Sequence, residues 1–468
     1  MLICSIDLYG EGSPAGRVRA WTFCRVSFRR QVLMSAPVVA VQGEPANELL
    51  RLDNLKVHFP VKLPFIQRLL QREEAVVHAV DGVSFGIRAG EILGLVGESG
   101  CGKSTVGRSC VRLIKPTSGR IFFAGQNITK LGGENLRALR RRIQIIFQDP
   151  HASLTPAMTI GRGIGHPLWI HRSAFGPQKS GSEAFGQWVR QRVLNTMREV
   201  GLTPEEQLYD KFPGDLSGGQ KQRAVIARAL ILEPNLLVVD EGVSMLDMSI
   251  RAKVLELMLD LKRRHGLTYL FITHDLATAK FICDRIAIMY MGRIVEIGPA
   301  REIYADPKHP YTKALLQVIP IPDPDKRKEK VLPRGEVPDA VHPPAGCRFH
   351  PRCPAVLATC GWEGRDFVDF LDEHLSDPKR AGDDESIVGP IEGWHADGLV
   401  ASLEAKPMSV EKAVERVETI LAEAPVAMTQ AIESVSAQKR TVMVRFHPPN
   451  QLRQTQVQDR LVECLLYQ

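Results

Sequence analysis

The sequence predicts an α/β protein built around a doubly wound, mostly parallel β-sheet. Three observations support this prediction: short apolar runs alternate with helical patterns, several of these runs end in polar motifs, and one motif is rich in glycine. Strands of a parallel sheet are buried on both faces and therefore appear as continuous apolar runs. Open α/β sheets bind ligands at the carboxyl ends of their strands. The polar motifs therefore predict one ligand crevice at that edge of the sheet.

The glycine-rich motif has the pattern of a phosphate-binding loop. Gly97 to Ser104, G-E-S-G-C-G-K-S, satisfies G-x-x-x-x-G-K-[ST] and follows the apolar run Glu91 to Val96. Glycines let backbone N–H groups approach phosphate closely, and the following helix presents its positive N-terminal end. Lys103 is expected to contact phosphate and Ser104 to bind Mg²⁺. The predicted nucleotide-contacting residues of the loop are Gly97, Glu98, Ser99, Gly100, Cys101, Gly102, Lys103, Ser104 and Thr105.

Length and composition limit the class of protein. With 468 residues, of which 44% are hydrophobic, the chain can hold one large domain and something smaller. A formal charge of +7 suits an anionic partner, and nucleotide, nucleic acid and lipid headgroups all qualify. The longest apolar runs, such as Leu267 to Ile272, fall far short of the roughly 20 residues needed to span a bilayer. We therefore do not expect the chain itself to form a channel.

The N-terminal region divides into a tail and a small sheet. Residues 1–48 are expected to be a disordered tail, and Met34 is an alternative start of the protein. Leu49–Pro60 and Val76–Ile87 alternate apolar and polar residues, which predicts an antiparallel sheet before the phosphate loop. Between them, Lys62–Glu74 is rich in helix-forming and charged residues and is expected to be an inserted surface segment.

An aromatic ring near the end of the first predicted strand is well placed to stack on the adenine base of a nucleotide. Phe59 is the predicted stacking residue. Two alternatives stay open at this point, because an aromatic side chain on a half-buried strand often packs into the core instead. Phe59 is then an ordinary core residue, or His58 takes the stacking role.

Polar residues also follow three later strands. Gln148 follows Ile143–Phe147, Asp240 and Glu241 end the strand from Leu236, and His274 follows the strand from Thr268. Attack of water on a γ-phosphate requires a bound metal ion and a positioned water molecule. Asp240 is therefore assigned to the metal, Glu241 to the water, and His274 to the γ-phosphate. The complete predicted sets are Ser104, Gln148 and Asp240 for Mg²⁺ and Glu241, His274 and Gln148 for hydrolysis.

A second helix start carries an anion-binding pattern. Leu216-Ser-Gly-Gly-Gln220 precedes a predicted helix from Lys221 to Leu232, after a mostly helical region from Leu154 to Pro213. Backbone N–H groups at such a start attract phosphate, and an ordinary helix cap is the alternative. The predicted nucleotide-contacting residues of this motif are Ser217, Gly218, Gly219 and Gln220.

In this order, the motifs resemble those of the ATP-binding subunits of ABC transporters. The resemblance covers about Leu49 to Pro299 and includes Ser244-Met-Leu-Asp247. It implies an ABC-type nucleotide-binding domain at residues 49–300, with a helical subdomain at about 150–215. It also implies two MgATP molecules sandwiched in a head-to-tail dimer, each held by the phosphate loop of one subunit and the signature Leu216–Gln220 of the other. Asp247 is then expected to connect the two sites.

Later segments resemble the C-terminal extension of oligopeptide and dipeptide importer ATPases. They are Asp306–Leu316, Pro320–Pro324 and Pro344–Pro354, within a region assigned to residues 301–360. The resemblance implies an ATPase that energises peptide import, although nickel and some sugar importers share the extension. It implies two membrane permease subunits, a paralogous ATPase or a homodimer, and an extracytoplasmic solute-binding protein as partners. The chain is then peripheral on the cytoplasmic face of the cell membrane.

Two rival functions are consistent with particular features of the sequence. The +7 charge permits a soluble ABC-type ATPase that acts on nucleic acid or ribosomes. Such proteins usually carry two ATPase cores or a long coiled-coil insertion, and the sequence has no pattern for either, so we expect no nucleic-acid partner. Gly242 stands where the family usually has proline, which predicts a less rigid turn and slower hydrolysis. If hydrolysis is very slow, the chain is a degenerate subunit that binds ATP with little turnover.

The C-terminal part contains a cysteine cluster and an additional segment. Cys347, Cys353 and Cys360 have irregular spacing, and the family pattern supplies a fourth cysteine, here Cys464. A [4Fe–4S] cluster on these four residues is one interpretation, and zinc or unligated thiols are the others. His350 is an alternative ligand. Residues 361–468 are predicted to be an additional, partly helical segment, with a helix at Val410–Ala422.

Overall fold

The computed structural model describes residues 48–61, 75–176, 181–318, 335, 337–377, 383–404 and 410–468. The predicted N-terminal tail, except for its last residue, and the predicted inserted segment Lys62–Glu74 lie outside the described residues. Among the helices of the described part, we find none with the length and apolar character required to cross a membrane.

The described residues fold into alternating strands and helices. The strands are β1 (Glu48–Pro60), β2 (Val76–Arg88), β3 (Ile92–Val96), β4 (Ser118–Phe123), β5 (Gln126–Asn127), β6 (Ile143–Ile146), β7 (Leu236–Asp240), β8 (Thr268–Thr273), β9 (Arg285–Tyr290), β10 (Arg293–Pro299), β11 (Trp394–Asp397), β12 (Val400–Glu404), β13 (Ile432–Gln438), β14 (Thr441–Phe446), β15 (Thr455–Val457) and β16 (Arg460–Val462). The helices are α1 (Lys103–Cys110), α2 (Gly133–Arg142), α3 (Pro150–Ser153), α4 (Ile160–Ile170), α5 (Ser182–Glu199), α6 (Glu205–Tyr209), α7 (Gly218–Leu230), α8 (Met248–His265), α9 (Leu276–Ile282), α10 (Ala300–Ala305), α11 (Pro310–Gln317), α12 (Gly364–Ser376), α13 (Asp384–Val388), α14 (Val410–Leu421) and α15 (Val426–Thr429).

The N-terminal strands form the antiparallel sheet that their alternating pattern predicts. Its strand order is β2-β1-β4-β5. On β1, Leu50, Leu52, Leu55 and Val57 are buried, and the residues between them are more exposed. A strand places successive side chains on opposite faces, so this alternation buries one face of the sheet and exposes the other. The buried face packs against the central sheet described next.

The central sheet has the order β15-β16-β10-β9-β3-β8-β7-β6. Its strands from β9 to β6 are parallel, and β3, β7 and β8 are buried along their whole length. Leu93, Leu270 and Val238 face the antiparallel sheet, whereas Phe271 and Val239 face the core that is shared with the helices. The sheet is therefore covered on both faces, which confirms the predicted α/β fold with a mostly parallel sheet.

The last strands of the chain complete the edge of the central sheet. β16 pairs with β10 through Glu296–Val462 and Ile297–Leu461, and β15 pairs with β16. Arg460 on β16 is 1% exposed and lies 3.6 Å from the carboxylate of Glu296, which is fully buried. The C-terminal strand and the ATPase-domain strand are thus joined by backbone pairing and by a buried ion pair.

The additional segment is an α/β subdomain with its own core. Its antiparallel sheet has the order β11-β12-β14-β13, and α12 and α14 pack against it. The buried side chains of this core include Phe367, Leu371, Trp394, Val417 and Val444. The helix at 410–421 matches the sequence-based expectation. Residues 361–468 are therefore not only partly helical, as the sequence predicted. They also form the four strands of this antiparallel sheet and two strands of the central sheet.

Candidate nucleotide-binding site

The phosphate loop connects β3 to α1 as its sequence predicts. Gly102 immediately precedes the helix and has a φ of 104°, in the left-handed region that favours glycine. A Cβ atom there would lie 2.1 Å from the carbonyl oxygen of Ala79, and a Cβ on Gly97 would lie 2.1 Å from that of Met289. Glycine is therefore required at both positions, because neighbouring backbone occupies the space of a side chain.

Lys103 extends back along the inside of this loop. Its side chain is 4% exposed, and Nζ donates hydrogen bonds to the carbonyl oxygens of Gly97 at 2.9 Å and Glu98 at 2.8 Å. These acceptors are neutral, so the positive charge of the ammonium group remains available to a phosphate. The arrangement supports the predicted phosphate contact of Lys103.

Two of the three predicted Mg²⁺ ligands, Ser104 and Asp240, meet between α1 and β7. The hydroxyl of Ser104 donates to Asp240 Oδ1 at 2.6 Å, and Asp240 is 2% exposed. Arg108 lies 3.6 Å from the other carboxylate oxygen. A hydroxyl and a carboxylate are hard oxygen donors of the kind that Mg²⁺ prefers. These two residues fit a magnesium ion that also contacts nucleotide phosphates.

The remaining catalytic candidates converge on the carboxylate of Glu241. Gln148 Nε2 donates to Glu241 Oε2 at 3.0 Å, and His274 Nδ1 lies 3.2 Å from Glu241 Oε1. Gln148 therefore contacts Glu241 in this structure, while Ser104 and Asp240 contact each other. Glu241 also has a φ of 51°, which is uncommon for a residue other than glycine and occurs often at functional sites. The structure brings all three predicted residues to one point beyond the strand ends.

The signature motif lies at the start of α7, on a different part of the chain. Ser217 caps this helix: its hydroxyl accepts from the Gln220 N–H at 3.3 Å, and the Gln220 side chain accepts from the Ser217 N–H at 2.9 Å. Ser217 and Gly218 are exposed. Among the described residues, no hydrogen bond joins the motif to the phosphate loop. The binding of nucleotide by this motif therefore stays a prediction, and in this chain the motif and the phosphate loop are separate segments.

Comparison with known proteins decides the family. Residues 80–244 match the family described as ABC transporter, and residues 295–360 match the one described as oligopeptide/dipeptide transporter, C-terminal region. The oligopeptide transport ATP-binding protein OppF of Escherichia coli is 46% identical over 314 residues, which are 67% of this chain and 90% of that protein. The chain belongs to the ABC transporter family of ATP-binding proteins.

Two further relatives agree with this assignment. A protein of Sinorhizobium fredii named "Probable peptide ABC transporter ATP-binding protein y4tS" is 44% identical over 316 residues, 67% of this chain and 85% of its own length. The OppF protein of Salmonella typhimurium is 46% identical over 319 residues, 68% of this chain and 92% of its own length. The chain is accordingly an ABC ATPase, and the predicted ABC-type nucleotide-binding fold is confirmed.

Asp247 of this ABC ATPase caps helix α8. Its carboxylate accepts from the N–H of Ile250 at 3.0 Å and from the hydroxyl of Ser249 at 2.8 Å. These hydrogen bonds, the one from Ile250 first, lower the pKa of Asp247, so the side chain is a carboxylate at neutral pH. Asp247 is exposed, and its connecting role between two sites stays a prediction.

The candidate adenine contact lies at the end of β1 in the ABC ATPase. Phe59 is 40% exposed, which is not the burial of a core side chain. The ring of His58 instead packs against that of His78, with centroids 4.3 Å apart. Stacking of adenine on Phe59 stays a prediction, and the exposed ring is compatible with it.

Gly242 follows Glu241, the predicted catalytic residue, and is closely surrounded. A Cβ atom added there would lie 2.9 Å from Val239 Cγ1 and 3.1 Å from Ile146 Cγ2. A larger residue therefore requires these neighbours to shift. The slower hydrolysis expected from Gly242 stays a prediction.

The four cysteines of the predicted cluster are free thiols. Cys347, Cys360 and Cys464 are buried, and Cys353 is half-buried. Burial raises the pKa of all four, that of Cys353 to about 11. The other three thiols also raise the pKa of Cys347, which places them in its electrostatic neighbourhood. The sulfur of Cys360 accepts a hydrogen bond from the N–H group of Leu357 at 3.3 Å.

The structure does not support His350 as an alternative ligand. Its Nδ1 lies 2.8 Å from the carbonyl oxygen of Cys347, and its Nε2 lies 3.1 Å from the carboxylate of Asp366. Both ring nitrogens are therefore engaged, and the side chain is 1% exposed. The imidazole acts here as a structural link between the cysteine segment and α12.

The sequence analysis missed two contacts of the phosphate loop with the extension. The hydroxyl of Tyr311 accepts from the N–H of Glu98 at 3.0 Å, and Arg352 lies 3.1 Å from the Glu98 carboxylate. Tyr311 follows Glu98 by 213 residues and Arg352 follows it by 254 residues. No local pattern indicates either contact; the only available signal was that both residues fall within the extension motifs.

Proposed function

We propose that this ABC ATPase hydrolyses MgATP to drive the import of peptides through a membrane complex. The observation that carries the proposal is the match of residues 295–360 to the oligopeptide/dipeptide transporter C-terminal region. Relatives with 44–46% identity are named for peptide or oligopeptide transport. The matched extension contacts the phosphate loop through Tyr311, which supports a role for it in the ATPase cycle.

Each residue of the site has a separate role in hydrolysis. Lys103 binds phosphate, and Ser104 and Asp240 hold Mg²⁺, which neutralises phosphate charge when bound. Glu241 accepts the hydrogen bond of the attacking water and orients it. Gln148 and His274 hold the two oxygens of Glu241 at hydrogen-bonding distance. They thereby fix the direction in which the carboxylate faces, and His274 contacts the γ-phosphate.

The partner assignment follows from the separation of the two half-sites. The phosphate loop of one subunit and the Ser217–Gln220 signature of a second subunit enclose each ATP, so the active form is a dimer with a paralogous ATPase or with a second copy. Two membrane permease subunits and an extracytoplasmic solute-binding protein complete the importer. The chain is peripheral on the cytoplasmic face of the membrane.

Association with partners is expected to raise the rate of hydrolysis. Alone and dilute, the chain should hydrolyse ATP slowly, because each site lacks its second half. Proteoliposomes that contain the permease subunits and the partner ATPase should hydrolyse faster, and a peptide-loaded solute-binding protein should raise the rate further. The measurements are phosphate release and uptake of labelled peptide.

The same experiment separates the rival functions. Nickel ions and sugars, each with the matching binding protein, are tested in place of peptide, and uptake of one of these alone would replace the substrate assignment. Co-purification of nucleic acid in place of permease would favour the soluble ATPase. A rate that depends on neither concentration nor partners would contradict the shared site.

We further propose that Cys347, Cys353, Cys360 and Cys464 hold a [4Fe–4S] cluster. The N–H group of Leu357 donates to the sulfur of Cys360 at 3.3 Å, and such bonds tune iron–sulfur centres. Ligation by cysteines alone, with irregular spacing in the sequence, favours a [4Fe–4S] cluster over zinc. The cluster ties Cys464, which follows β16, to the extension.

Iron content tests this assignment directly. Protein purified without oxygen should be brown and contain about four iron atoms per chain, and Cys353→Ser should lower both the colour and the iron content. Cys110→Ala, at a buried free cysteine of α1, is the matched control and should retain the iron. Colourless protein without iron or zinc, and with full ATPase activity, would leave the four residues as ordinary thiols.

A further inference from the structure

We propose that Arg352 of the C-terminal extension is a positioning residue for the phosphate loop. Through its ion pair with Glu98 it fixes the second residue of the loop and neutralises a carboxylate close to the bound phosphates. The inference rests on the nucleotide site described above. It gives the extension a part in binding ATP.

The contacts of Arg352 are specific and largely shielded from solvent. Its Nη1 donates to Glu98 Oε2 at 3.1 Å and to the hydroxyl of Tyr290 at 3.3 Å. The guanidinium carbon lies 5.9 Å from the centre of the Tyr290 ring. The arginine side chain is 11% exposed and that of Glu98 is 29% exposed. A pair with this degree of burial is screened less by solvent than a surface pair.

The backbone of Glu98 is held by the same region. Its N–H donates to the hydroxyl of Tyr311, which is fully buried. Tyr311 packs against Tyr290 and Phe349, with ring centroids 4.6 and 5.3 Å apart. Phe349 and Arg352 belong to the Cys347–Cys353 segment. The aromatic cluster thus forms a rigid support from which the extension reaches both the backbone and the side chain of Glu98.

The electrostatic reason for the pair lies in the charge of the ligand. The carbonyl oxygen of Glu98 accepts from Lys103 Nζ at 2.8 Å, so Glu98 is directly beside the predicted phosphate-binding group. ATP brings several negative charges to this loop, and an unpaired carboxylate at its second position would repel them. Arg352 removes this repulsion by pairing with Glu98. Loss of the arginine should therefore weaken ATP binding more than it slows the chemical step.

Four variants of the full chain, in the partner complex, test the inference. Arg352→Ala should raise the KM and Kd for ATP about tenfold and change kcat less than about threefold. Arg352→Lys keeps the charge but loses the planar fork, so its KM should be intermediate. Glu98→Gln alone is measured as the reference for the double variant. Glu98→Gln combined with Arg352→Ala should restore the KM to within about twofold of Glu98→Gln alone.

The rescue distinguishes an action of Arg352 through the Glu98 carboxylate from general stabilisation of the extension. If Arg352 only stabilises the extension, the double variant should bind ATP as poorly as Arg352→Ala, and this result would overturn the inference. Arg365→Ala, at an exposed arginine of α12, is the control and should bind ATP as the wild type does. An unchanged Kd for Arg352→Ala would also refute the proposal. Failure of the wild type to bind ATP would instead refute the site itself.

Discussion

Glu241→Gln is expected to lower the turnover of the partner complex by roughly two orders of magnitude or more, without loss of ATP binding. The amide keeps the size of the side chain but lacks the negative oxygen that accepts the proton of the attacking water. The contacts of Glu241 with Gln148 and His274 place its carboxylate at the centre of the predicted catalytic group. Single-turnover hydrolysis and equilibrium binding of labelled ATP measure the two effects separately.

Lys103→Ala is the contrasting variant for this test. It removes the ammonium group that lies along the inside of the loop, so it should weaken nucleotide binding itself. If Glu241→Gln retained near wild-type hydrolysis, the water-positioning role would belong to another residue. If Lys103→Ala left the affinity for ATP unchanged, the phosphate contact of Lys103 would be wrong.

Arg460→Ala is expected to lower the free energy of unfolding by about 3 kcal/mol or more. The variant leaves the fully buried carboxylate of Glu296 without its ion-pair partner. Glu296 keeps hydrogen bonds from the N–H groups of Lys308 and His309, each at 3.0 Å. Two backbone donors do not replace a full positive charge in a site without solvent. Arg460 also donates to the carbonyl oxygen of Glu302 at 3.2 Å, and this contact is lost too.

Urea unfolding, followed by fluorescence and circular dichroism, measures this change in stability. Arg453→Ala is the matched control, because Arg453 belongs to the same C-terminal segment but is exposed and bonds the side chain of Gln451. Its effect should stay within about 0.5 kcal/mol. Replacing both members of the pair, as Glu296→Gln with Arg460→Met, removes both charges and keeps a side-chain acceptor for the N–H groups of Lys308 and His309, so it should recover part of the loss. Equal stability of Arg460→Ala and the wild type would show that the pair contributes nothing.

The sequence by itself determined the nucleotide half-site and the class of fold. Gly97 to Ser104 specify a phosphate loop through their own backbone geometry, and the apolar runs around Leu95 and Val238 specify buried strands. Gln148, Glu241 and His274 could be grouped without coordinates, because the carboxyl ends of parallel strands meet at one edge of a sheet. Each of these motifs is recognised from a short stretch of sequence. The general rule that ligands bind at the carboxyl ends of parallel strands then predicts that the motifs lie together.

Only the tertiary structure decided how the C-terminal third is connected to this core. The pairing of β16 with β10, the sheet formed by β11 to β14, and the contact of Arg352 with Glu98 join residues far apart in the chain. A short strand such as β16 has too few residues to show the alternation of apolar and polar side chains. The two members of an ion pair can lie any number of residues apart in the sequence, so no spacing predicts them. These contacts arise from the packing of complementary surfaces and charges in three dimensions, which local patterns of residues do not encode.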